Sequence, residues 1–157
     1  MSRRLVFWVL VALQAAVPVA LAGLREADLA FGRHVLIQAY PVDPIDPFRG
    51  EYVALRFPIS RLGADYGSGT TVYVTLRKSG RGWVEDYASP SKPSHGTFIR
   101  GVVREGGNVE YGIETFYVEQ GRARRYAGAM AERRLYADVA LSSDGRAHLD
   151  GVKIFPR

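Results

Sequence analysis

Residues 70–78 read TTVYVTLRK, in which Val72, Val74 and Leu76 alternate with Thr71, Tyr73 and Thr75. A period of two puts the apolar set on one face of an extended chain, so this segment is a half-buried β-strand. Ser79-Gly80-Arg81-Gly82 comes next as a turn, and Trp83 to Ala88 completes a hairpin. The same pattern extends in both directions. Upstream, His34 to Tyr40 (HVLIQAY) and Glu51 to Ile59 predict two further strands. They are separated by Pro41 to Gly50 (PVDPIDPFRG), whose three prolines make it a stiff connector that cannot lie inside a sheet. Downstream of the Ser89–Gly96 loop, Thr97 to Glu105 and Asn108 to Val118 flank Gly106-Gly107, a tight-hairpin signal because both glycines accept positive φ. Leu135 to Leu141 and Ala147 to Phe155 form a last hairpin through Asp144-Gly145. Between these hairpins, Ala123, Tyr126, Ala127 and Met130 recur at helical spacing and predict a short amphipathic helix within Glu119–Arg134. The outline is a mainly β (β-rich α+β) domain of about eight strands with one short helix, built as a mostly antiparallel sheet or a partly closed barrel.

The N-terminus has another character. Leu5 to Leu24 (LVFWVLVALQAAVPVALAGL) is an uncharged run bounded by Arg4 and Arg25. About 20 helical residues at about 1.5 Å each cover the hydrocarbon core of a bilayer, and one Gln and one Pro are tolerable within such a span. Arg3 and Arg4 favour a cytoplasmic N-terminus and a single pass through the inner (cytoplasmic) membrane, with everything after the span extracytoplasmic. Ala20-Leu21-Ala22 keeps a cleaved signal peptide as the alternative. The chain thus divides into an anchor over 1–24, a short stalk over 25–33 and a β domain over 34–157.

Composition excludes several function classes. With no cysteine, the chain is no disulfide scaffold, zinc-thiolate protein or thiol enzyme. Setting Arg3 and Arg4 aside leaves 19 basic residues against 16 acidic, a balance too even to imply a nucleic-acid partner. The cluster of Arg122, Arg124, Arg125, Arg133 and Arg134 reads as a solvated helix face.

Within the second predicted strand, Arg49-Gly50-Glu51-Tyr52-Val53-Ala54-Leu55-Arg56-Phe57 resembles the signature of the GDYXXLXY family of bacterial membrane-anchored proteins. The preceding Pro41-Val42-Asp43-Pro44 with Asp46-Pro47, then Tyr111-Gly112-Ile113-Glu114, then Asp144-Gly145-Arg146-Ala147 resemble further blocks of that family in the same order. Glu51 replaces an Asp, and Phe57 replaces the final Tyr, so no role that needs a hydroxyl is available at 57. The resemblance implies an anchored extracytoplasmic domain, often encoded beside a multi-spanning membrane protein, with no assigned activity.

In a strand Glu51, Val53, Leu55 and Phe57 share one face, so Leu55 and Phe57 are core, and Tyr52, Ala54 and Arg56 face away. Arg49, Glu51 and Tyr52 cluster beside a constrained loop that also carries Asp43 and Asp46, and these five are the candidate binding residues. No catalytic set is recognisable, nor is a cofactor motif. Asp43 and Asp46 offer two carboxylates where calcium wants six to eight oxygens. His34, His95 and His148 match no zinc spacing. Glu110 and Glu114, four apart in one expected strand, stand too far apart for a glycosidase pair.

These features point to a binding or accessory module for a membrane protein or an envelope component. The alternative is a serine hydrolase: RGEYV with FIRGVV after it resembles signal-peptidase-like enzymes, which pair a Ser nucleophile with a Lys base. Where such enzymes carry the base, this chain has Ile99-Arg100-Gly101, and arginine does not deprotonate, leaving Lys78, Lys92 and Lys153 as candidates.

Overall fold

A computed structural model describes residues 2–41, 52–117 and 134–156. Helix α1 (Arg3–Phe31) runs through Pro18 and past the expected end of the anchor, so the stalk is a continuation of the same helix. Its Arg3–Gly23 portion is long and apolar enough to cross a membrane, and none of it is buried against the rest of the chain. Leu5, Phe7, Trp8, Leu10 and Leu21 are all exposed. A core helix of a soluble protein would place that surface against other elements; here the described residues leave it uncovered.

Ten strands come after it among the described residues, and every pairing is antiparallel. Strands β1 (Arg33–Gln38), β9 (Leu135–Leu141) and β10 (Ala147–Ile154) form a sheet in the order β1-β9-β10. Strands β2 (Tyr40–Pro41), β3 (Tyr52–Arg56) and β8 (Thr115–Tyr117) form a second, in the order β2-β3-β8. The third contains β4 (Thr71–Ser79), β5 (Gly82–Ser89), β6 (Thr97–Val103) and β7 (Val109–Glu110), in the order β5-β4-β6-β7. The chain is mainly β with antiparallel sheets, as the periodicity predicts, and the described strands make open sheets and no closed barrel.

Three expectations need correction. The strand expected to run to Ile59 stops at Arg56, and Pro58–Ser60 forms a one-turn 3-10 helix, because Pro58 has no N–H to offer a ladder. Asn108 to Val118 is not one strand. The chain turns at Gly112, whose φ of 82° favours glycine, and β8 leaves β6 to pair with β3, Tyr52 opposite Tyr117. Glu110 and Glu114 therefore do not lie along a single strand. Lastly, His34 to Tyr40 serves two sheets, pairing with β9 as far as Gln38 and then handing Tyr40 on to Arg56 of β3. The helix expected over Glu119–Arg134 lies, apart from Arg134, outside the described residues, as do Arg122, Arg124, Arg125 and Arg133.

One apolar cluster joins all three sheets. Val35 and Ile37 of β1, Leu55 of β3, Val72 and Val74 of β4, Ile99 of β6 and Leu135 and Val139 of β9 are buried in it, with Phe57 and Ile59 from the 3-10 turn. Leu55 and Phe57, at 2% and 1% exposure, take the core positions their parity predicts. Each such side chain contributes about 1.5–3 kcal/mol through removal from water. Gly101 on β6 shows how closely the β7 segment packs along its neighbouring strand. A Cβ there would overlap Val109 Cγ1 and stand 2.8 Å from the Tyr111 ring and 2.9 Å from the Glu110 carbonyl.

Candidate functional site

Because Leu55 is held in the core, Arg56 emerges on the far side of β3 and is exposed. The segment after β7 folds back against this strand, held by one hydrogen bond to β3, one to the 3-10 turn and one within itself. Leu55 N–H donates to the Glu114 carbonyl at 2.7 Å, Tyr111 N–H donates to Glu114 Oε1 at 2.6 Å, and the Tyr111 hydroxyl donates to the Ile59 carbonyl. Burial first, and then the carboxylates of Glu85 and Glu114, push the Tyr111 phenol above its ordinary value, so it stays a protonated donor at any physiological pH.

An open groove of about 340 Å³ lies beside this junction. Ala54, Leu55 and Arg56 of β3 line it with their neighbour Glu114, and Arg104 and Glu110 complete the lining. Arg104 and Glu110 form an ion pair at the exposed rim. The groove therefore offers an apolar strip, cations and carboxylates within reach of one occupant. Such a surface suits recognition of an extended polar segment better than enclosure of a small apolar molecule.

The terminal hairpin closes the neighbouring edge. Arg100 N–H donates to the Gly145 carbonyl at 2.7 Å, and the Asp144 carboxylate accepts from the Ser142 hydroxyl and from Arg146 Nε at 3.0 Å. Partial burial works to raise the Asp144 carboxyl, but the Ser142 and Arg146 hydrogen bonds and the Arg146 charge outweigh it and bring it down to about 2.

Of the sequence-predicted binding residues, Tyr52 is placed in β3 at the head of the groove strand. Arg49, Glu51, Asp43 and Asp46 lie outside the described residues. Their segment is flanked by Pro41 of β2 and Tyr52 of β3, strands that pair beside the groove. Sequence reasoning missed Arg56, Arg104 and Glu114 as groove residues. The parity of Arg56 in its strand was a usable signal, whereas Arg104 and Glu114 arrive only through tertiary folding. Two of the three candidate lysine bases have other company: Lys153 Nζ bonds Asp138, and Lys92 lies over the Phe98 ring.

In chain order the signature strand, the Tyr111–Glu114 block and the Asp144–Ala147 turn are thus assembled around the β3 to β7 region. Comparison with curated proteins gives no match, and comparison with solved structures gives none either. The family model described as GDYXXLXY protein matches residues 14–152, from within the apolar helix almost to the end of β10. With most of its length covered, including the strand and the block that build the groove, this chain belongs to the GDYXXLXY family.

Proposed function

We propose that the protein is a single-pass accessory module of the inner (cytoplasmic) membrane, holding its β domain on the extracytoplasmic side to bind a membrane protein or an envelope component. Arg3 and Arg4 ahead of the apolar helix support this orientation. The reading rests chiefly on one observation. Two family blocks that are far apart in sequence are hydrogen-bonded together, and an open groove of mixed charge lies at their junction, completed by Arg104 and Glu110. The occupant we infer is an extended segment of a multi-spanning membrane protein, met by the groove together with Arg49, Glu51 and Tyr52 and the connector carrying Asp43 and Asp46.

Photocrosslinking in native membranes tests this. A photoreactive residue at Arg56 or Thr115, both exposed at the groove, should trap one discrete membrane-protein adduct, and one at Lys78 by the β4–β5 turn should not. Equal adducts from all three positions, or none from the groove, would overturn the reading.

A further inference from the structure

The β1-β9-β10 sheet has a face turned away from the core, and one buried carboxylate lies on it. In β9, Leu135, Ala137, Val139 and Leu141 point inward, so Asp138 belongs to the opposite face, yet it is only 6% exposed. Asp138 is paired with Leu36 of β1 on one side and Gly151 of β10 on the other. A β-bulge between Leu149 and Gly151 inserts Asp150, so that Asp150 and Gly151 together oppose Asp138. Bulges re-aim side chains, and this one brings a second carboxylate to the first. Like charges facing across strands are unfavourable unless a cation joins them. From β1, His34 Nδ1 stands 3.1 Å from Asp138 Oδ1. Lys153 Nζ takes the other oxygen, Oδ2, at 2.5 Å. One ligand atom from each of His34, Asp138 and Asp150 lies within 4.8 Å of the others.

We propose that His34, Asp138 and Asp150 form a binding site for a divalent transition-metal ion of the zinc class. Tetrahedral zinc with bonds of about 2.0 Å sets neighbouring ligand atoms about 3.3 Å apart. The spacing of His34 Nδ1 and Asp138 Oδ1 is already close to that, so the ion takes the place of the proton they share. The imidazolium gives up its Nδ1 proton to solvent as the metal–nitrogen bond forms, and Nε2 keeps its own, so the ligand is a neutral imidazole. Asp150 is exposed and closes the remaining distance by side-chain rotation. Lys153 keeps Oδ2, the role of an outer partner that orients a ligating carboxylate, and the exposed side leaves a fourth position for water. Once the imidazole has given up that proton, one ammonium faces two carboxylates, and the ion supplies the missing positive charge. The imidazole selects zinc, nickel or cobalt over magnesium and calcium, which prefer all-oxygen sets. The ligands sit 104 and 12 residues apart on three strands, so no linear spacing signals them.

The test uses the full-length chain in detergent, without a histidine tag, stripped with chelator and titrated calorimetrically with zinc chloride. One zinc per chain should bind, with no response to magnesium or calcium chloride at the same concentration. Asp150→Asn, an exposed isosteric change, and His34→Gln should each weaken binding at least tenfold while the metal-free melting temperature stays unchanged. Absence of zinc binding to the wild type would overturn the site. Binding that both variants retain at full strength would also overturn it, by moving the zinc to His95, His148 or elsewhere. Should His34→Gln alter the metal-free melt, Asp150→Asn alone decides.

Discussion

Leu55 and Arg56 are neighbours with opposite fates, one closed in the core and the other open to the groove, and substitution should separate fold from binding between them. Leu55→Ala should cost about 2–5 kcal/mol in denaturant unfolding, enough to threaten a domain of ordinary stability. Arg56→Glu should stay within about 0.5 kcal/mol of wild type and yet lose the groove adduct. Tyr111→Phe leaves the Ile59 carbonyl without its donor and should cost about 1–3 kcal/mol. Asp144 supplies a pH signature. Its carboxyl is lowered in the fold from 3.8 to about 2, so its contribution is complete above the unfolded value and fades as pH falls from about 4 towards 2. With the side chain 35% exposed, screening reduces the gain to about 1 kcal/mol. Denaturant midpoints should therefore fall more steeply over that window in wild type than in Asp144→Asn. At this scale the core was legible, because parity in the Tyr52–Phe57 run distinguishes Leu55 and Phe57 from Arg56. The groove was legible only on its β3 side, since Arg104 and Glu114 reach it through long-range pairing.

Among the elements, the hairpins β4–β5 and β9–β10 could be read directly, since Ser79–Gly82 and Asp144-Gly145 fix their turns and both flanking strands alternate. The β6–β7 turn at Gly106-Gly107 was equally visible, but the path of the chain beyond β7 was not. Apolar alternation continues past Gly112, and only the positive φ there diverts the chain to β3. Likewise the 3-10 turn at Pro58 arises from the missing N–H, a signal present in the sequence but overridden there by the apolar pattern of Phe57 and Ile59. The close pairing of β7 with β6 makes its own prediction. Gly101→Ala drives a methyl into Val109 and Tyr111, and it should cost about 1–3 kcal/mol while opening the groove, seen as faster amide exchange at Tyr111 and Leu55.

At the scale of the molecule, a 29-residue helix leads into a domain of three open sheets that share one core, and among the described residues nothing buries its first 21 residues. The apolar helix, long enough to cross a membrane, was the most legible feature of the sequence, because length and the lack of charge suffice to define it. Which strands share a sheet was the least legible, since β1 finds β9 about a hundred residues away. A groove that meets a partner outside the cytoplasm requires a retained anchor and an exported domain together. Because the chain has no cysteine, Tyr87→Cys on an exposed position of β5 provides a single reporting thiol. Labelling of that thiol in spheroplasts with a membrane-impermeant maleimide, and then alkaline washing of the membranes, is the most direct measurement. An anchored, exported domain predicts full labelling before lysis, with the labelled protein retained in the washed membrane pellet; labelling only after lysis, or labelled protein released in soluble form, would contradict it.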